Sequence, residues 1–149
     1  MQEKIIVITP EDTFQLKDYN GYESLSEVVN GSLSMCDKIE IPVMPMLANG
    51  KEKITAVMFC NDEFLIDNKK EFDKINAIAS AMSGQELRGN IALVVDKGKG
   101  ETRGFHYMEE DVGGGEIEEA LCECWTVEDT LMQFRKQNQK AIKDLHKQY

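Results

Sequence analysis

The sequence predicts an α+β fold, with a mainly antiparallel sheet of about five to six strands, two short helices and a longer C-terminal helix. Three observations lead there. Runs of β-branched and apolar residues at Ile5 to Ile8, Ile54 to Cys60 and Ile91 to Val95 are bounded by turn residues, as buried strands are. Other stretches repeat apolar residues at helical spacing. Short polar turns join several of the strands and favour hairpins.

Taken in order, Lys4 to Ile8 reads as a buried strand stopped by Thr9-Pro10, and Thr13 to Leu16 alternates like its hairpin partner. Tyr22, Leu25 and Val28/Val29 share one face of a short amphipathic helix, which Asn30-Gly31 ends by supplying a glycine. Ser32 to Pro45 alternates as a long strand, and Pro42 and Pro45 confine its later part to an edge or a bend. After a turn at Ala48 to Lys51, the run Ile54 to Cys60 is apolar enough to be covered on both faces and is expected at the middle of the sheet. Phe72, Ile75, Ala79 and Met82 predict a helix from Glu71 to Met82, closed by Ser83-Gly84. Ile91 to Val95 is a second buried strand, Lys97 to Glu101 a turn, and Gly104 to Met108 is expected to pair back as a hairpin.

The last forty residues differ in charge. Glu109 to Met132 holds nine acidic and no basic side chains, whereas Gln133 to Tyr149 holds five basic and one acidic. Gly113-Gly114-Gly115 reads as a hinge, without the lysine and hydroxyl residue a phosphate cradle needs. Ile117 to Cys124 fits a helix, although Leu121 to Val127 also alternates as a strand does. Thr126 with Asp129 resembles a capping box that opens one helix with a stripe of Val127, Leu131, Phe134, Ile142 and Leu145, running to about Lys147. Residues 1–111 are thus expected to form the core domain, and 112–149 an acidic hinge and helix packed on the core or on a dimer partner.

Composition bounds the function. The chain has 149 residues, 42% hydrophobic and 30% charged, which is enough for one core. A net charge of −10 disfavours a broad grip on nucleic-acid phosphates. The longest purely apolar run, Ile91 to Val95, is far below the roughly 18 residues of a membrane span. The amino terminus lacks a secretory signal, so a cytoplasmic protein is expected. Cys36, Cys60, Cys122 and Cys124 lack the density of a disulfide scaffold, so reduced thiols are the expectation.

Residues Lys4 to Asp111 resemble a phage- and mobile-element-borne family known as domain of unknown function 3846. The resemblance is carried by Ile6-Val7-Ile8-Thr9-Pro10, by Glu23-Ser24-Leu25 leading to Val29-Asn30-Gly31, and by Ala56 to Cys60 running into Asn61-Asp62-Glu63. Asn76 within the next helix and Arg88-Gly89-Asn90 before Ile91 to Val95, with Phe105 after it, complete the pattern. The second glycine of the family's pair is replaced here by Ser32 or lost, and the segment after Asp111 has no counterpart. The resemblance implies a small α+β fold and a phage or plasmid setting, in which such genes act as accessory factors against host defences.

Several constellations invite chemistry. Asn61-Asp62-Glu63 leaves a buried strand where carboxylates bind hard cations, but a turn in which Asn61 or Asp62 caps nearby amides is the stronger reading. Cys122 and Cys124 with His106 supply soft ligands, but no second pair follows at zinc-site spacing. His106 and His146 are the only histidines, and neither stands in a nucleophile–base pattern, so no enzyme, cofactor or metal is expected. The acidic residues Glu109, Glu110, Asp111, Glu116, Glu118 and Glu119 read either as a solvated linker and helix face or as an imitation of phosphate spacing that suits the basic channel of a nucleic-acid-binding host defence protein. The leading expectation is therefore a non-enzymatic inhibitor that binds such a protein directly. The alternative is a sponge for a small anionic nucleotide signal, held by Arg88, Lys97, Lys99, Arg103, Phe105 and Tyr107.

Overall fold

A computed structural model describes residues 2–42, 53–65, 74–107 and 123–149. It is an α+β fold with one antiparallel sheet. Its elements are β1 (Gln2–Ile8), β2 (Phe14–Asp18), α1 (Tyr22–Val29), β3 (Leu33–Pro42), β4 (Lys53–Asn61), α2 (Ala77–Ser83), β5 (Ile91–Gly98), β6 (Glu101–Arg103), β7 (Phe105–Tyr107), α3 (Glu123–Gln137) and α4 (Gln139–Gln148). The strand order is β2-β1-β5-β4-β3, so β5 takes the middle place expected of Ile54 to Cys60, and β4 lies one strand in from the edge. No helix among the described residues is long and apolar enough to cross a membrane.

Both faces of the sheet are covered, and this explains why β1, β4 and β5 read as continuous apolar runs rather than alternating ones. One face buries Ile6, Ile8, Met58, Ile91, Leu93 and Phe105 against α2, α3 and α4. The other buries Ile5, Val7, Val57, Phe59, Ala92 and Val94 under Leu25 and Val29 of α1. Pro42 ends β3, which lies at the sheet edge where a missing amide costs no ladder bond.

The expected hairpin at Gly104 to Met108 is half realised. β6 pairs with β5, but Phe105 to Tyr107 crosses to β1, where Phe105 faces Lys4 and Tyr107 faces Gln2. The ribbon thereby fills the wedge that opens as β1 and β5 diverge. Gly104 is the joint. A Cβ there would stand 2.8 Å from the Lys4 amide nitrogen and 2.8 Å from the Tyr19 Cβ, so no side chain fits without moving backbone.

Helix ends follow local chemistry more closely than the sequence reading held. Asn30, not Gly31, takes the left-handed cap of α1, at φ 59°. Gly31 serves close approach instead, because a Cβ there would lie 2.5 Å from Asn61 Nδ2. Asn61 is buried and donates to the carbonyls of Val29 and Asn30 at 2.9 and 3.0 Å, while its Oδ1 accepts from the Glu63 amide at 2.8 Å. Gly31→Ala is therefore expected to displace this side chain and to cost about 1–3 kcal/mol, read as a lowered denaturation midpoint. An unchanged midpoint would mean that Asn61 can relocate freely.

Asn76 precedes α2 rather than lying within it, and its side chain accepts from the Ala79 amide. Ile75 bridges to Arg88, so the helix expected from Glu71 begins only at Ala77; residues 71–73 lie outside those described, as do the turn at 48–51 and residues 43–45 of the long strand. Gly84 caps α2 at φ 74°, as its sequence position suggested.

The single C-terminal helix is two. Asn138 interrupts it by turning its amide side chain onto the Phe134 carbonyl at 2.8 Å, a local bond that competes with helix geometry. Thr126 is interior to α3, which starts at Glu123, so the Thr126/Asp129 capping box does not form. The helix or strand expected at 117–124 and the Gly113-Gly114-Gly115 hinge lie outside the described residues, except that Glu123 and Cys124 open α3. Cys124, Val127, Leu131 and Ile142 are buried in the same core as the sheet. Both helices also grip the β1–β2 turn: Arg135 Nη1 donates to the Asp12 carbonyl at 2.7 Å, and His146 Nε2 lies 2.9 Å from the Asp12 carboxylate.

Cys36 and Cys60 were expected as separate reduced thiols. They instead meet across β3 and β4 as a disulfide, with Cα atoms 6.3 Å apart, next to the bulge between Met35 and Asp37.

Candidate functional site

A polar cluster built around the buried Glu123 joins the β6–Gly104–β7 ribbon to the start of α3. Glu123 is 3% exposed, although it follows six other carboxylates in Glu109 to Glu119. Its carboxylate accepts from Arg103 Nη1 at 2.6 Å and Nη2 at 3.0 Å, and from the His106 amide at 2.9 Å. Arg103 Nη1 also donates to the Gly104 carbonyl at 3.0 Å, and Glu3 accepts from the Gly104 amide at 2.9 Å. The ribbon bends at Gly104, which aims Arg103 and the His106 amide at one point, and the first turn of α3 delivers the carboxylate to it.

Burial alone pushes the Glu123 carboxyl upward, but the hydrogen bonds from Arg103 and the His106 amide, with the charge of Arg103, outweigh it and hold the group below its ordinary value. Burial and then the Arg103 charge push the His106 imidazole down, against the smaller pull of Glu123 and Glu3. At neutral pH the 3.4 Å approach of His106 Nδ1 to Glu123 is thus a contact of a neutral ring with a carboxylate rather than an ion pair. A carboxylate already accepting three hydrogen bonds is a poor proton acceptor, so the cluster acts as a latch between sheet and helix.

The other buried polar side chains are engaged in the same architectural way. Asn61 ties β4 to the end of α1, which bears out the capping reading of Asn61-Asp62-Glu63. Asn76 donates to the carbonyls of Ile8 and Gly89. Ser80 donates to the Leu87 carbonyl and accepts from its amide, Ser24 donates to the Gly21 carbonyl, and Thr9 bonds Thr13.

The residues singled out as a nucleotide-binding set do not converge. Phe105 is fully buried in the core. Arg103 is bound to Glu123. Arg88 contacts Glu86 and lies over the Tyr149 ring, beyond the start of β5, whereas Lys97 and Lys99 lie at the opposite end of that strand, with Lys97 3.9 Å from Glu101. Tyr107 stacks against Lys4. Two open surface depressions, of about 430 Å³ beside Lys17, Asn20 and Glu27 and about 360 Å³ beside Lys74, His146 and Tyr149, are lined by none of these six. The acidic set, Glu109, Glu110, Asp111, Glu116, Glu118 and Glu119, lies outside the described residues, as does Cys122. Among the described residues no group of three or more histidine, cysteine and acidic side chains is placed to hold a metal ion.

Sequence reasoning missed Glu123 and understated Asn76. The available signals were weak: one glutamate between two cysteines beside Trp125, and an asparagine immediately before an alanine-rich turn of helix.

No family model matches the chain, and no curated protein does. Among solved structures, the crystal structure of small RNA methyltransferase HEN1 is similar over 63% of this chain and 13% of that one, at 15% identity and a TM-score of 0.43.

Proposed function

We propose that this chain is a non-enzymatic binding protein of phage or mobile-element origin that inhibits a host defence component by direct contact through its acidic segment. The observation that supports this reading is the distribution of charge. The chain carries −10 overall, seven carboxylates fall within Glu109 to Glu123, and of these Glu123 turns inward as a latch that anchors the segment's end to the sheet. The three arginines of the sequence are engaged within the molecule, Arg88 on Glu86, Arg103 on Glu123 and Arg135 on Asp12. A molecule so arranged offers anionic groups to a partner and keeps its guanidinium groups for itself, which fits a basic protein surface better than an anionic small molecule. The phage setting rests on the resemblance over Lys4 to Asp111.

The test neutralises Glu109, Glu110, Asp111, Glu118 and Glu119 together, as glutamine or asparagine. In cells carrying a defence system that the unmodified chain inhibits, the variant is expected to lose inhibition, measured as phage plating efficiency, while keeping its melting temperature. Inhibition retained by the variant overturns the acidic-contact reading. A rise in melting temperature with cyclic dinucleotides or adenosine-diphosphate-ribose-type signals would replace it with nucleotide capture.

A further inference from the structure

We propose that Asn20–Gly21 is a site of spontaneous deamidation, where the Asn20 side chain becomes a carboxylate through a cyclic imide, and that the fold withholds the same reaction from Asn30–Gly31. Both are asparagine–glycine pairs. Asparagine is a chemically labile side chain, and a following glycine has no Cβ to shield its amide nitrogen from it. The two pairs share this chemistry and differ in their surroundings.

Asn20 and Gly21 lie in the short connection between the end of β2 at Asp18 and the start of α1 at Tyr22. Asn20 is exposed and lines the open depression of about 430 Å³ beside Lys17 and Glu27, so water reaches it. Its backbone amide donates to Ser24 Oγ at 2.8 Å, while its side chain makes no hydrogen bond among the described residues. The Gly21 amide, the nucleophile of the reaction, also donates no hydrogen bond among the described residues. Gly21 stands at φ 77° with nothing within 4 Å of where a Cβ would be, so its surroundings are open. At the second pair the Gly31 amide is already engaged. It donates to the Ser26 carbonyl at 3.1 Å and closes α1, and Asn61 Nδ2 lies 2.5 Å from the position of a Gly31 Cβ. Forming the imide there would break the helix cap and displace Asn61.

In the reaction the Gly21 nitrogen, having given its proton to hydroxide, attacks Asn20 Cγ. The N–Cγ bond forms, the Cγ–Nδ2 bond breaks, and Nδ2 leaves as ammonia with a proton from water. Water then opens the imide. Cleavage at Cγ gives aspartate in the ordinary backbone, and cleavage at the main-chain carbonyl gives isoaspartate, with the chain running through the side chain. One water is consumed and one ammonia released for each conversion. Isoaspartate lengthens the backbone by a methylene at the entry to α1, where Ser24 Oγ donates to the Gly21 carbonyl at 2.6 Å.

The experiment incubates the full folded chain in warm, mildly alkaline buffer, then reduces it and digests it with a glutamate-specific protease, which separates the two pairs into peptides 12–23 and 28–40. Mass spectrometry reads the conversion of amide to acid, and labelling by a protein isoaspartate methyltransferase reads the isoaspartate. Peptide 12–23 should convert about tenfold or more faster than peptide 28–40, because only the second pair must first open its cap. In denaturant the two rates should approach each other, and Asn20→Gln should stop conversion in peptide 12–23. A folded chain in which Asn20 converts no faster than Asn30 overturns the proposal. So do rates that differ as much in denaturant as in the folded chain, which would place the selection in local sequence, or conversion of peptide 12–23 that persists in Asn20→Gln.

Discussion

Replacing Asn76 with alanine is expected to lower stability by about 3–4 kcal/mol, among the largest single effects outside the apolar core. The residue is fully buried. Its Nδ2 donates to the carbonyls of Ile8 at 2.8 Å and Gly89 at 2.9 Å, and its Oδ1 accepts from the Ala79 amide at 3.1 Å. The variant would leave two carbonyls and one helix amide without these partners in a region closed to water, each costing about 1–3 kcal/mol before relaxation. Chemical denaturation measures the loss directly, and thermal unfolding should show a fall of about 10 °C for a chain of this size. Asn76→Asp separates the two roles of the side chain. Aspartate is as good a helix cap as asparagine, so if capping α2 were the whole role the variant would be nearly neutral. Because a carboxylate cannot donate to Ile8 and Gly89, it is expected to be at least as damaging as alanine. A near-neutral Asn76→Asp would refute the account in which this amide staples β1 to the loop before β5.

Glu123→Ala is the second large effect, expected at about 3 kcal/mol. It removes the carboxylate from a guanidinium that is only a quarter exposed and leaves the His106 amide without its acceptor. Glu123→Gln keeps the shape and one acceptor oxygen and should cost less. The pH dependence has a definite sign. Glu123 has a lower carboxyl pKa folded than unfolded, so its contribution is complete above the ordinary glutamate value of about 4.3 and is lost as pH falls through the folded value. His106 is also held below its ordinary value, so the unfolded chain takes up its proton first and stability begins to fall as pH drops below about 6.5. Denaturation midpoints measured between neutral and acidic pH should therefore decline in two stages. His106→Gln should flatten the first and Glu123→Gln the second. A midpoint that rises on acidification would reverse the assignment of both groups.

The two effects mark where the sequence was readable and where it was not. β1, β4 and β5 were legible because a sheet covered on both faces demands unbroken apolar runs, and no other element here has them. The C-terminal stops of α1 and α2 were legible because Asn30-Gly31 and Gly84 are residues that tolerate a left-handed cap, although in α1 Asn30 rather than the glycine takes it. Asn138 was read through because its side-chain bond to Phe134 leaves the apolar spacing intact on either side of the break. Phe105 to Tyr107 was assigned to the wrong neighbour because alternation fixes which side chains share a face, and says nothing of which strand lies alongside. The basic set around Arg103 failed to converge for the same reason: neighbours in sequence at the two ends of β5 lie far apart in the sheet.

From the chain alone came the fold class, the buried strands, the helix stops and the polarity of charge along the last forty residues, all of which depend on side-chain type and spacing within a few turns or strand lengths. Only the tertiary structure decided that Phe105 joins β1, that Glu123 turns inward to Arg103, that Asn61 and Asn76 bind carbonyls contributed by other elements, and that Cys36 meets Cys60. Each of these joins residues at least thirteen positions apart, and in the Glu123, Asn61, Asn76 and Cys36 contacts the polar atoms or sulfurs meet only once apolar burial has closed the intervening chain.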